Sequence, residues 1–113
     1  MHVEPVDERT SGWEDHRPRF RVFLFEGGEG KASFATSTYD VTGAEALEVI
    51  AWAEEQAGAE GLYAVALVSR NPRGELGLTW LQGMDANDGP GDLRHEVLRA
   101  AMLARRGRRN VTR

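Results

Sequence analysis

Two short apolar runs, RFRVFLFEG at 19–27 and LYAVALVS at 62–69, most constrain what this chain can fold into. Both are rich in aromatic or β-branched residues and are too short for a buried helix, so each predicts a strand. The first run is apolar on both faces, which predicts an inner strand or a strand whose outer face another part of the chain covers. Its two faces carry Phe20, Val22 and Leu24 on one side and Phe23 and Phe25 on the other.

Each run is followed by a turn and a less apolar segment, which predicts two hairpins. GGEGK at 27–31 leads into ASFATSTYDV at 32–41, whose weaker alternation is expected near a sheet edge. In the second hairpin, Asn71-Pro72-Arg73-Gly74 has the proline and glycine positions of a type I turn and leads into ELGLTWLQG at 75–83. In that return strand Leu76, Leu78 and Trp80 alternate with Gly77, Thr79 and Leu81.

A helix is predicted after each hairpin. The first covers 43–57, because Thr42 and Glu45 have the spacing of a capping box and Gly58 can take the left-handed conformation at its end. The second runs from Asp92 at its N-cap to Gly107. Helical periodicity predicts one core-facing stripe in each. The stripes are Ala46, Leu47, Val49, Ile50, Ala53 and Ala57 in the first helix and Leu93, Val97, Leu98, Ala100, Ala101 and Ala104 in the second.

The order ββαββα predicts a single α+β domain: a four-stranded, mainly antiparallel sheet with two helices packed on one face. A chain of 113 residues with 41% apolar and 28% charged residues has the size and composition of one globular domain. Residues 1–17 are predicted to form a flexible polar N-terminal arm, 18–107 the α+β domain and 108–113 a basic C-terminal tail. Within the arm, Trp13 predicts one anchoring contact.

Composition excludes several classes of protein. The chain has no cysteine, which rules out disulfides, thiolate chemistry and cysteine-based zinc sites. Residues 1–18 contain no apolar run, and no run approaches the ~18 residues of a membrane span, so we expect a cytoplasmic protein without membrane contact. One lysine against 13 arginines is typical of a GC-rich bacterial genome. His2, His16 and His95 lack the spacing of metal ligands, and neither a metal nor a cofactor is predicted.

GMDANDGPGD at 83–92 concentrates oxygen-bearing side chains and raises the question of a metal loop. Counted as a calcium loop, it would place Asp85 first and Glu96 twelfth, but the sixth position is Pro90, whose fixed φ prevents the required turn. A turn followed by a helix cap explains the segment more simply. A small enzyme that uses the 85–96 loop with His95 is a weaker alternative.

Trp52 lies ~140° from the centre of the first helix's apolar stripe, among acidic side chains. Three interpretations stay open: another part of the chain, such as the N-terminal arm, covers Trp52, a partner binds it, or it is incidentally exposed. The leading hypothesis is a non-catalytic protein-interaction module of adaptor or inhibitor/immunity type. We expect it to engage another protein, or to pair with itself, through an acidic α-helical face made of Glu45, Glu48, Trp52 and Glu55.

Charge is distributed unevenly along the chain. Residues 1–60 carry 13 acidic and 5 basic side chains, whereas residues 61–113 carry 5 acidic and 9 basic ones. The overall net charge of −4 argues against a dedicated nucleic-acid binder, because phosphate contacts require basic surface. The C-terminal end is a local exception, and weak nucleic-acid contact there is the alternative function. The residues concerned are Arg105, Arg106, Arg108 and Arg109.

Overall fold

The structure is a computed structural model that describes residues 1–27, 33–87 and 93–107, with backbone alone at 93–95. Four strands and two α-helices follow a short 3-10 turn at Glu8–Thr10, and the predicted α+β class and ββαββα order are confirmed. Neither described helix has the length and apolar character needed to cross a membrane. The elements are β1 Arg19–Gly27, β2 Phe34–Val41, α1 Ala46–Ala57, β3 Leu62–Arg70, β4 Leu76–Gln82 and α2 Leu93–Ala104.

The four strands form one antiparallel sheet in the order β2-β1-β3-β4. The two apolar runs, β1 and β3, are therefore the inner strands, and the two return strands are the edges. Val22 of β1 lies opposite Val65 of β3 and opposite Tyr39 of β2, which fixes the register across three strands. A β-bulge interrupts the pairing of β3 with β4 after Val65. The second hairpin closes where the Gly74 N–H donates to the Asn71 carbonyl at 2.9 Å.

One face of the sheet, which we call the first face, is covered by α1. Even-numbered residues of β1 and odd-numbered residues of β3 point to it, since the two strands pair with Phe20 opposite Leu67. Val49 and Ala53 of α1 pack between them and complete a first core. Burial of these side chains is the main force that holds α1 to the sheet. The first core consists of Phe20, Val22, Val49, Ala53, Tyr63 and Val65.

The other face, the second face, is partly covered by α2. Its buried side chain, Met102, packs against Phe25 and Leu62 at one end of the sheet. The prediction that both helices pack on one face is therefore wrong, because α1 and α2 lie on opposite faces. The two-sided apolar character of β1 has its explanation here, since Phe25 requires cover that α1 cannot supply. The second core consists of Phe25, Leu62, Ala64, Met84, Ala86 and Met102.

α1 begins three residues later than predicted. Gly43 has φ +72, a left-handed conformation that a helix cannot continue through, so Thr42 does not cap it. The N-cap is Glu45, and the Glu48 carboxylate accepts a hydrogen bond from the Glu45 N–H at 3.1 Å. The end at Gly58 is as predicted, with φ +68. Leu47, assigned to the core stripe, is 65% exposed.

The predicted stripe of α2 is also wrong. Val97, Ala100, Ala101 and Ala104 are exposed, and the side that faces the protein carries Met102. Two observations account for this orientation. Arg99 donates a hydrogen bond to the Ala86 carbonyl, which ties that side of the helix to the preceding loop. Methionine also offers more apolar area to bury than alanine, so one Met102 outweighs several alanines.

Gly83 sets the path from β4 to α2. It has φ +80, and a Cβ atom added to it would lie 2.9 Å from the Ala64 Cβ. The position therefore requires glycine both for its backbone conformation and for its close approach to β3. Immediately after it, Met84 and Ala86 enter the second core, so the chain has turned from the edge strand onto the second face.

Candidate interaction surface

At the end of the sheet that α2 does not reach, none of the residues 1–27, 33–87 and 93–107 covers the second face. Four apolar side chains on three adjacent strands meet there, and we call them the open sheet surface: Phe23, Val68, Leu78 and Trp80. The rings of Phe23 and Trp80 are 5.0 Å apart, centroid to centroid. Trp80 is 39% exposed and Leu78 38%. Single exposed apolar residues are ordinary, whereas large contiguous apolar patches often belong to interaction sites.

Basic side chains border the open sheet surface. Arg19 and Arg21 of β1 lie on the second face by register, as does Arg70 of β3. Arg21 bonds the Asp40 carboxylate through Nε at 2.7 Å and Nη2 at 3.1 Å. That hydrogen bonding by Arg21 lowers the pKa of Asp40, and the nearby charge of Arg19 lowers it further. The border therefore carries more positive than negative charge.

The two sheet edges differ. β4, at the edge beside the open sheet surface, is seven residues long, has neither charge nor proline, and is exposed at six positions. The outer edge of β2 begins at Phe34, where a side chain takes the place of a further strand. Asn87 Oδ1 accepts from the Phe34 N–H at 2.8 Å, and its Nδ2 donates to the Phe34 carbonyl at 3.0 Å and to Thr36 Oγ1 at 3.1 Å. Unpaired edges recruit other strands. Among the residues that the structure describes, a cover of this kind is found at Phe34 of β2 and not along β4.

The first half of the 83–92 segment, residues 83–87, is a packed turn. Asp85 Oδ1 accepts a hydrogen bond from the Asn87 N–H at 2.9 Å, while Met84 and Ala86 are buried. Asp92 lies outside the described residues, as does the His95 side chain, and Glu96 is exposed on α2. Among the side chains that the structure describes, no three acidic or histidine groups gather as metal ligands would. The enzyme alternative gains no assembled site from the described part of this loop.

The acidic face of α1 is on the opposite side of the sheet from the open sheet surface. Its three carboxylates, on Glu45, Glu48 and Glu55, belong to exposed residues, whereas Trp52 is half-buried against the first core. The cover of Trp52 includes Tyr39 of β2, whose ring lies edge-on at 5.6 Å.

The N-terminal arm does not provide the anchoring contact predicted for it. Trp13 is 79% exposed, and every residue from 1 to 17 is exposed. The hydrogen bonds within it are local, such as that from the Arg9 N–H to Asp7 Oδ1 at 2.9 Å. The predicted anchor at Trp13 is therefore wrong, because the indole meets no apolar surface in the domain.

The arginines of the alternative nucleic-acid site are only partly free. Arg105 is half-buried and, with the exposed Arg106, lines a small pocket between the ends of α1 and α2. The same pocket holds the buried Glu54, whose Oε1 accepts from the Tyr63 hydroxyl at 3.3 Å. Arg105 thus contributes to the packing of the domain as well as to its charge. Arg108 and Arg109 lie outside the described residues.

Sequence analysis missed the open sheet surface as a site. The alternation of Leu78 and Trp80 was visible, but it was used only to predict the return strand of the second hairpin. The available signal was that β1 is apolar on both faces, because helices packed on one face of the sheet cannot bury the side chains of the other. The hydrogen bonds of Asn87 to Phe34 were also not predicted, since nothing in the sequence of a turn indicates which distant backbone groups an asparagine in it will bond.

Comparison of the chain with models of known protein families, with curated proteins and with solved structures gives no match. Function is therefore inferred from the arrangement of the chain's own residues. Of the predicted sites, the acidic α1 face is assembled as a surface, and the open sheet surface is added by the fold.

Proposed function

We propose that the protein is a protein-interaction module whose main contact is the open sheet surface. The observation that carries this proposal is the meeting of Phe23, Val68, Leu78 and Trp80 on the part of the second face that α2 leaves uncovered. Their exposed area is removed from water only if another molecule covers it, and burial of apolar area contributes roughly 25 cal/mol per Å². The class of function is the one expected from sequence, and the surface is different.

The chemistry of the surface favours a protein partner. Tryptophan and arginine are the residues that most often dominate binding energy at protein interfaces, especially where a border of polar groups excludes water. Trp80 supplies the aromatic anchor, and Arg19 and Arg70 supply charge at the border. A partner that fits would present an apolar centre with acidic side chains around it, which would also speed association.

The acidic α1 face remains a prediction about a second contact. Its carboxylates, on Glu45, Glu48 and Glu55, belong to exposed residues that a basic partner can reach. Trp52 supports this contact less than the sequence pattern implied, because its side chain is half-buried and packs against Tyr39. Nucleic-acid contact through the C-terminal arginines also stays an alternative, with Arg105 partly engaged within the domain.

Affinity capture with matched variants tests the proposal. The full chain is used as bait in lysate of the organism that encodes it, with and without nuclease, beside Leu78→Lys and Leu47→Lys. Both substitutions place a lysine at an exposed leucine, but Leu78 lies on the open sheet surface and Leu47 on the outer side of α1. We expect bound protein that survives nuclease, is lost with Leu78→Lys and is kept with Leu47→Lys.

Two outcomes would contradict the proposal. Identical capture by wild type and Leu78→Lys would show that the open sheet surface is not the contact. Capture of nuclease-sensitive material alone would favour the arginines at the C-terminal end. Circular dichroism of each bait confirms that loss of binding is not loss of fold, since surface substitutions usually change stability by no more than ~0.5 kcal/mol.

A further inference from the structure

We infer that the partner on this side of the molecule is a second copy of the same chain, paired β4 to β4 in antiparallel orientation. The inference rests on the proposed function, because the β4 edge carries Leu78 and Trp80 of the open sheet surface. The resulting assembly is a continuous eight-stranded sheet, formed by two four-stranded sheets joined at their β4 edges.

The first argument is the lack of charge and proline along the β4 edge. Natural edge strands avoid pairing with other chains through charged side chains, proline, β-bulges or a covering segment. β4 has neither charge nor proline over Leu76–Gln82, and its bulge lies at the end near Gln82, so residues 76–80 are the regular part of the edge. At the opposite edge, Asn87 occupies both main-chain groups of Phe34 at the start of β2, and Asp40 places a charge near the other end. Strand addition is therefore favoured at β4.

The second argument is symmetry. Two copies joined by an antiparallel pair of identical edges are related by a two-fold axis perpendicular to the sheet, so the second faces of both copies stay on the same side. Side chains directly opposite each other then share a face, which requires one residue to lie opposite its own copy. Centring the axis on Thr79 keeps the central pairs before the bulge, in the regular part of β4, and places Leu78 opposite Trp80 of the second copy.

The third argument is charge. Within β4 no like charges meet, because the strand carries none. The turn that precedes β4 carries charges of both signs, Arg73 and Glu75, so charge does not oppose the approach of that turn to Gln82 of the second copy. The acidic residues of α1 lie away from the seam, since α1 packs over β1 and β3 on the first face.

In the paired assembly, the open sheet surfaces of the two copies adjoin and form one continuous apolar surface. Leu78 and Trp80 of one copy adjoin Trp80 and Leu78 of the other, and cross-strand aromatic and aliphatic pairs of this kind contribute about 0.2–1 kcal/mol each. The backbone ladder between the two β4 strands adds hydrogen bonds whose groups otherwise face water.

Cysteine cross-linking reports the register directly, because the chain has no cysteine of its own. Directly opposed residues in an antiparallel pair have Cα atoms ~4.5–5.5 Å apart, within the ~4.4–6.8 Å span of a disulfide. Thr79→Cys should therefore form a covalent dimer under mild oxidation. Thr38→Cys, at an exposed threonine of β2, should stay monomeric and serves as the matched control.

Thr79→Lys tests the same axis without covalent chemistry. Two lysines would face each other across the seam, and directly opposed like charges destabilise strand pairs. Sedimentation of the full chain over a wide concentration range should show a dimer for wild type and for Thr38→Lys, and a monomer for Thr79→Lys. The far-ultraviolet spectrum of each variant confirms that the domain is folded.

Each outcome decides the inference. A wild-type monomer at all concentrations overturns it, and so does a dimer that persists in Thr79→Lys and fails to cross-link through Thr79→Cys. Failure of the proposed function is separate, because it is read from Leu78→Lys in capture. Loss of a foreign partner with Leu78→Lys, in a chain that sediments as a monomer, would retain the proposed function and reject self-pairing.

Discussion

The aromatic rings of Tyr39 and Trp52 meet edge to face, with centroids 5.6 Å apart and planes 83° apart. Tyr39 belongs to the edge strand β2 and Trp52 to α1, so this contact joins the helix to the outermost strand of the first face. Edge-to-face geometry places the positive rim of one ring on the negative face of the other, which adds ~0.5–1.5 kcal/mol to burial. Trp52 is thus a packing residue even though acidic side chains surround it.

Trp52→Glu should destabilise the domain. Truncation of a buried tryptophan typically costs about 3–5 kcal/mol, and we expect about 2–4 kcal/mol at this half-buried position. For a domain of this size the melting temperature should fall by about 10 °C or more, measured by thermal circular dichroism. Trp13→Glu, in the exposed arm, is the control and should leave the melting temperature unchanged. Equal stability of the two variants would return Trp52 to the acidic face as a partner-binding residue.

Asn87→Ala should expose the edge of β2. Both main-chain groups of Phe34 exchange their Asn87 partner for water, and loss of such an exposed hydrogen bond costs about 0.5–1.5 kcal/mol. Urea unfolding measures the loss, and amide hydrogen exchange should show faster exchange at Phe34. Gln56→Ala removes an exposed amide from α1 and should do neither. Unchanged exchange at Phe34 would mean that Asn87 does not close this edge.

The inner strands were predictable because their sequence pattern and their environment agree. β1 has the predicted bounds, and β3 extends one residue beyond its predicted end at Ser69. Both strands are apolar enough to be buried wherever the helices lie. The cap of α1 was misplaced because Thr42–Glu45 and Glu45–Glu48 both fit a capping pattern, and only the positive φ of Gly43 distinguishes them.

The placement of α2 could not be predicted from periodicity. The alanine-rich face of α2 and the face that contains Met102 differ little in apolar content, so tertiary contacts determine which face packs on the sheet. The bond from Arg99 to Ala86 and the fit of Met102 beside Phe25 decide it. Trp80 is exposed because of where α2 packs, and no local sequence pattern at Trp80 predicts that exposure.

Acid should weaken the link between β1 and β2. Hydrogen bonding by Arg21 lowers the pKa of Asp40 below its ordinary value of 3.8. A carboxyl with a lowered pKa in the folded state stabilises the fold above its unfolded pKa and loses that contribution as pH falls through the folded pKa. Asp40→Asn should therefore lower the free energy of unfolding at neutral pH, and the difference from wild type should shrink below pH ~4.

The effect of Asp40→Asn is small, about 0.2–1 kcal/mol, because both side chains are partly exposed. Urea unfolding at several pH values measures it. Asp7→Asn is the control, since Asp7 bonds Arg9 two residues away in the exposed arm and the contact can persist in the unfolded chain. A difference for Asp40→Asn that stays constant with pH would exclude the ion pair as its origin.

Gly83→Ala should destabilise more than Gly74→Ala. Both glycines have φ +80, which costs an alanine about 1–2 kcal/mol at either position. An added methyl at Gly74 meets open space, whereas at Gly83 it meets the Ala64 Cβ at 2.9 Å. The difference between the two variants in urea unfolding, expected to be about 1 kcal/mol or more, measures the steric part alone. Equal losses would show that Ala64 yields without cost.

Gly83 also decides how many layers the molecule has. The chain leaves β4 at an edge and can cross the sheet on either side, and the torsion at this glycine sends it over the face that α1 does not occupy. The molecule consequently has three layers at one end, helix, sheet and helix, and two at the other. The step between the two thicknesses is the border of the open sheet surface, so a backbone angle just after β4 determines where the Phe23–Trp80 pair meets water.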